Sequence, residues 1–112
     1  MLKNKINNQL IIEKTRIASS FFSRFKGLML ETKQDYALIF VLEKETIIGA
    51  SIHMMFVFFP IDIIYLNKDK KVIKIMKRIL PFTLFITPVK CKYIIELKNS
   101  KTLQLNDKIS FK

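Results

Sequence analysis

Residues 51–66 read SIHMMFVFFPIDIIYL, an almost wholly apolar stretch that carries one histidine and one aspartate. A segment this apolar must be buried, and a carboxylate or imidazole carried in with it must be paired, hydrogen-bonded or neutralised. His53 and Asp62 are therefore either polar anchors of a core or parts of a site. The window 47–66 has the roughly 20 residues needed to cross a bilayer. Asp62 near the centre of such a helix would cost about 2.5 to 3.5 kcal/mol. Pro60 and the dense β-branched and aromatic content instead favour two consecutive buried strands with a break between them. No membrane span is expected.

With 112 residues, half of them hydrophobic, the chain is long enough to bury one core without metal or disulfide staples. A single domain over residues 1–112 is expected, with residues 1–8 fraying. Cys91 is the one cysteine, which excludes an intramolecular disulfide and any multi-cysteine metal site. It suits a reducing compartment. The first ten residues are polar, and Glu13 and Lys14 close the short apolar patch that follows them, so no signal-peptide hydrophobic region is present. A cytoplasmic location is the expectation.

Short strands dominate the pattern. QLIIEKTRI (9–17) reads as an opening strand. Phe21, Phe22, Phe25, Leu28 and Met29 then recur at helical spacing behind Ser19 or Ser20, which predicts one short helix over 21–30 that Gly27 interrupts. YALIFVL (36–42) is a strand and 43–46 a polar turn, after which 49–57 and 61–66 are buried strands. NKDKK (67–71) is a hairpin loop leading into KVIKIMKRI, whose imperfect period of two predicts a bulge near Met76. KYIIEL (92–97) is a strand with Tyr93, Ile95 and Leu97 on one face, and 103–111 closes the chain with a short strand or two. The fold class is mainly β, a small barrel or folded sandwich with one helix near the N-terminus.

Asp62 shares a strand face with Ile64 and Leu66 and needs a partner, for which Arg24 or the backbone amides of an irregular turn are the candidates. His53, the one histidine, could complete a two-carboxylate, one-histidine set with Asp62 and Glu96, or act as a general acid or base. A satisfied core histidine is the plainer reading, and no metal or cofactor is expected. Glu96 shares its face with Lys92 and Lys98, which reads as a solvated edge position. Cys91 has no adjacent base and reads as a buried thiol.

The favoured function is a non-enzymatic binding or accessory domain for a small molecule or protein, with a pocket lined by Met54, Phe56, Phe58, Phe82 and Tyr93 and anchored by Arg24 or Asp62. One alternative is an enzyme or metal-dependent site built from His53, Asp62 and Glu96. Another follows from the formal charge of +11 and from Lys68, Lys70, Lys71, Lys74, Lys77 and Arg78 along the hairpin, with Lys90 and Lys92 extending them: weak nucleic-acid binding. Three arginines among twenty basic residues weaken that alternative, because specific phosphate or base recognition favours the guanidinium fork.

RFKGLM (24–29), the 51–66 block, KVIKI (71–75), Pro81 with Phe82, and YIIEL (93–97) together resemble the uncharacterised domain of unknown function 192 family, most closely its archaeal branch. The resemblance spans about residues 12–111. It implies a small, mostly β fold with Arg24, Gly27, Met29, Met54, Asp62, Pro81 and Glu96 at the family's motif positions, and no established activity. The chain departs from that pattern at Phe82, where tryptophan is frequent, at Asn99 and Ser100, where a glycine is usual, and at Tyr36 and Ala37.

Overall fold

In the computed structural model, residues 1–5, 9–18, 36–46, 59–80 and 90–111 are described. They form eight strands: β1 (Leu2–Asn4), β2 (Gln9–Ile12), β3 (Thr15–Ala18), β4 (Ala37–Thr46), β5 (Ile61–Leu66), β6 (Val72–Ile79), β7 (Cys91–Leu97) and β8 (Ile109–Phe111). Five strands make one sheet in the order β3-β4-β7-β5-β6, and three make a second in the order β2-β1-β8. All pairings are antiparallel except β3 with β4. The fold is thus a mainly β domain of mixed sheets.

Strand β7 is the axis of the larger sheet. Its neighbours are β4 on one side and β5 on the other, with Ile95 level with Ile39 and Ile64. Because successive side chains alternate between faces, these three isoleucines form one apolar row. They pack with Leu66, Val72 and Leu97 against Leu2, Ile11, Leu103 and Ile109, which belong to the small sheet and its approach. The opposite face carries Leu38, Phe40, Ile61, Ile63, Tyr65 and Ile94, joined by Phe59 and by Met76 and Ile79 of β6. Both faces of the centre are therefore buried, which is why β5 reads as a continuous apolar run and not as an alternation.

Two kinks explain the uneven pattern of β6. Leu66 pairs with Val72 and Tyr65 with Lys74, so Ile73 is the extra residue; Ile63 pairs with Met76 and Ile61 with Ile79, which leaves one surplus residue between them. These are β-bulges, and the second lies where the sequence predicts it. Arg78 sits inside it with φ 53, a left-handed backbone that costs a non-glycine residue about 1 to 2 kcal/mol. At the other end Asn67 organises the hairpin turn: its side-chain oxygen accepts from the amides of Asp69 and Lys71, and its carbonyl from Lys70. Lys70 takes the left-handed position there, with φ 62.

The structure corrects three expectations. The 9–17 segment is two strands in two different sheets, because the chain changes sheet at Glu13 and Lys14. Strand β4 runs through the expected turn at 43–46, with Thr46 still paired to Cys91. The first residues do not fray over 1–5: β1 is the middle strand of its sheet and Leu2 is fully buried. One short strand closes the chain, as expected, and 98–108 before it is a loop that gives its backbone to the hairpin, Val72 donating to Asp107 and Ile109 to Lys70. The helix expected over 21–30 and the strand over 49–57 lie outside the described residues, and barrel closure is not among the described pairings.

Replacing Ile64 with alanine removes a fully buried side chain from the row between the sheets. Urea unfolding should show a loss of about 2 to 5 kcal/mol with an unchanged m-value.

Candidate functional site

Asp62 is the second residue of β5 and is 5% exposed. It pairs with Leu97, so it points to the side of the small sheet. Among the described residues its partners are backbone and hydroxyl donors, and Arg24 lies outside those residues. Oδ1 accepts from the Arg78 amide at 2.9 Å, while Oδ2 accepts from the Ser100 amide and the Ser100 hydroxyl, each at 2.8 Å. Both oxygens are engaged, which is how a buried carboxylate has its hydrogen-bonding capacity met. One group thereby fixes the β6 bulge and the turn after β7.

Glu96 is the neighbour of that pair and points the other way. It is level with Leu38 of β4 and Ile63 of β5, on the face that also carries Tyr65, and it is 4% exposed. The solvated edge expected for it is wrong because β7 is the central strand, buried on both faces. Burial pushes the Glu96 carboxyl up to about 8, so at neutral pH it is mostly protonated. Burial, with Cys91 and Glu96 nearby, raises the Tyr65 phenol, whose hydroxyl donates to the Met76 sulfur at 3.8 Å. Cys91 is fully buried, as its sequence context implies. Asp62 and Glu96 therefore lie on opposite faces of one sheet and cannot share a ligand or proton. His53 lies outside the described residues, and among those described no three His, Cys, Asp or Glu side chains are placed to hold a metal.

A pocket beside the Asp62-held bulge opens where three strand ends meet. It has a volume of about 290 Å³ and is lined by Phe59 and Pro60 ahead of β5, Arg78 in the β6 bulge and Lys98 just after β7. The Lys98 ammonium lies 5.2 Å from the Phe59 ring centroid. Of the pocket residues expected from sequence, Met54, Phe56, Phe58 and Phe82 lie outside the described residues. Tyr93 is described and belongs elsewhere: it stacks edge-on with Phe111 at 5.4 Å, beneath Lys70, whose ammonium is 4.3 Å from the Phe111 ring. A second recess beside that cluster, about 360 Å³, is lined by Met1, Lys3, Ser110 and Phe111.

The two ends of the basic hairpin meet different recesses. From Lys71 to Arg78 the strand runs seven residues, about 23 Å at 3.3 Å per residue. Arg78 therefore serves the Phe59 pocket and Lys70 the Tyr93 cluster. Reading the sequence missed Phe59, Pro60, Lys98 and Ser100; the signals for them were the break before Asp62 and the bulge near Met76, which together bring three loop ends to one carboxylate.

A two-sheet, mainly β domain with a polar-framed pocket at one sheet end is the class these features define. Residues 2–110 match the family DUF192, described as Uncharacterized ACR, and the chain belongs to it. A UPF0127 protein of Thermococcus sibiricus is 42% identical over 96 residues, 86% of this chain and 62% of that protein, so the chain spans less than two thirds of that relative. A Pyrococcus horikoshii UPF0127 protein is 37% identical and is covered over 98% of its length, against 99% of this chain. A crystal structure of a protein of unknown function from Novosphingobium aromaticivorans superposes with a TM-score of 0.78 at 21% identity, over 87% of this chain and 74% of that one; at that identity the likeness is of fold. Among the described residues no helix is long and apolar enough to cross a membrane.

Two measurements test the two carboxyls separately. Asp62→Asn puts an NH₂ group against one of the amides that Asp62 now accepts from, and should cost about 2 to 4 kcal/mol in urea unfolding. Glu96 acts through pH. From its ordinary 4.5 up to about 8 the unfolded chain releases a proton that the folded one keeps, so stability falls as pH rises through this window and levels above it. Between pH 5.5 and 7.5 the loss should be about 2 kcal/mol. Glu96→Gln should flatten it.

Proposed function

We propose that the protein is a small non-enzymatic binding domain of the cytoplasm whose ligand site is the pocket formed by Phe59, Pro60, Arg78 and Lys98. The observation that carries this reading is the use of Asp62: a costly buried carboxylate is spent on holding the two loop ends that wall the pocket, with both of its oxygens already satisfied. A carboxylate so engaged frames a site and performs no acid–base chemistry in it. Placing Asp62 and Glu96 on opposite faces removes the pairing on which an enzyme reading rests. Separation of the hairpin cations, with Lys70 lying over Phe111 and Tyr93, argues against a single nucleic-acid surface. The buried lone thiol of Cys91 fits a reducing compartment. The three- and four-residue spacing of Phe21, Phe25 and Leu28 supports a helix over 21–30 as part of the same domain.

A fragment screen on the ¹⁵N-labelled chain tests the pocket. Fragments that bind should move the amides of Phe59, Ile61, Arg78 and Lys98 together, and Phe59→Leu, which keeps an apolar side chain in the core, should weaken aromatic fragments several-fold. Shifts confined to the Met1 and Phe111 recess, or none at all, would count against it.

A further inference from the structure

We infer that the ligand of the Phe59 pocket is a small organic anion, with an acidic head held by Arg78 and Lys98 and an apolar body laid on Phe59 and Pro60. The inference rests on the pocket reading above and names the class of molecule. Three independent observations meet here. Charge comes first: two cations line a pocket of about 290 Å³, and among the described residues no acidic side chain lines it with them. Asp62 is close by, yet its oxygens are turned to the Arg78 amide and to Ser100 and do not neutralise either side chain. Lys98 lies over the Phe59 ring, and a ring face attracts an ammonium without cancelling its charge. An unneutralised arginine and lysine beside one recess is an arrangement that favours a carboxylate or phosphate, which a guanidinium meets with two parallel hydrogen bonds.

Backbone strain is the second observation. Arg78 is held at φ 53 in a bulge, and the bond from its amide to Asp62 secures it. Strain of this kind persists only where the surroundings over-determine it, and bulges commonly re-aim a side chain at a site. Arg78 is exposed, so no core packing accounts for the conformation. The third observation is shape. Phe59 is buried against the core cluster of the sheet and gives the recess a fixed apolar floor that bare phosphate or acetate would leave uncovered.

The test is a titration of the full labelled chain with phenyl phosphate, benzoate, inorganic phosphate, benzyl alcohol and a single-stranded oligonucleotide. Phenyl phosphate or benzoate should move the amides of Phe59, Ile61, Arg78 and Lys98 and bind about tenfold more tightly than neutral benzyl alcohol. Arg78→Asn keeps a residue that tolerates the left-handed backbone, and Lys98→Met alters an exposed side chain. Each should weaken the aromatic anions about tenfold while leaving the remaining amide spectrum in place. If benzyl alcohol binds equally well and neither variant matters, the anion inference falls and the pocket reading survives. When no probe and no fragment of the earlier screen reaches these amides, both fall. Inorganic phosphate binding as tightly as phenyl phosphate would overturn the apolar body. Tighter binding of the oligonucleotide at this same pocket, surviving physiological salt, would overturn the small ligand in favour of nucleic acid.

Discussion

The Asp62 carboxylate joins three parts of the chain that are far apart in sequence. It belongs to β5, receives the amide of Arg78 from the kinked end of β6, and receives amide and hydroxyl of Ser100 from the turn beyond β7. Taking a carboxylate out of water costs several kcal/mol, and three short bonds to fixed donors offset that cost only if all three form together. The consequence is geometric. Neither the bulge nor the turn can move without stranding a buried charge, so the two loop ends that wall the Phe59 pocket are set relative to each other by a group that does not itself line it.

One position along the partner strand the logic is reversed. Glu96 has been drawn into the opposite face among Leu38, Ile63 and Tyr65, where burial favours its neutral form. The sheet separates the two carboxyls, and their environments differ as much as their directions: one accepts three hydrogen bonds from fixed donors, the other is held largely protonated near neutrality by burial. Two acids that look like a constellation in the sequence become, through the alternation of side chains along β5 and β7, two unrelated elements of structure.

Much of the larger sheet was legible because its strands are buried on both sides and read as apolar runs: 36–42, 61–66 and 92–97 all stand where the pattern puts them. The hairpin at 67–71 was equally clear, since Asn67 is a turn residue with a mechanism, and the bulge near Met76 followed from a break in alternation. The site was less legible. That Asp62 needs a partner follows from burial alone, and backbone amides of an irregular turn were among the candidates. That the turn would be at Ser100 depends on β7 entering between β4 and β5, which no local pattern encodes. Glu96 was misread for the same reason: lysines on its own strand face, four residues before it and two after, suggest an exposed edge, and only the strand order makes the position central. The sheet change at Glu13 and Lys14 likewise leaves no mark, because both sheets ask the same apolar alternation of the residues around it.

Strand order also governs when the molecule can exist. During synthesis β4 and β5 appear early, but the strand that must lie between them is β7, and the small sheet waits for β8 to flank β1. Until residue 97 is free, β4 and β5 each carry an unpaired edge alongside buried-type side chains, the condition in which strands pair with the wrong neighbour. Within the larger sheet only the β5 to β6 hairpin is local enough to close at once. The polar loop at 67–71 and the lysines around it thus place charge beside the first strand pair of the larger sheet to close, the position a gatekeeper takes in a sheet whose central strand is the last of its five to arrive.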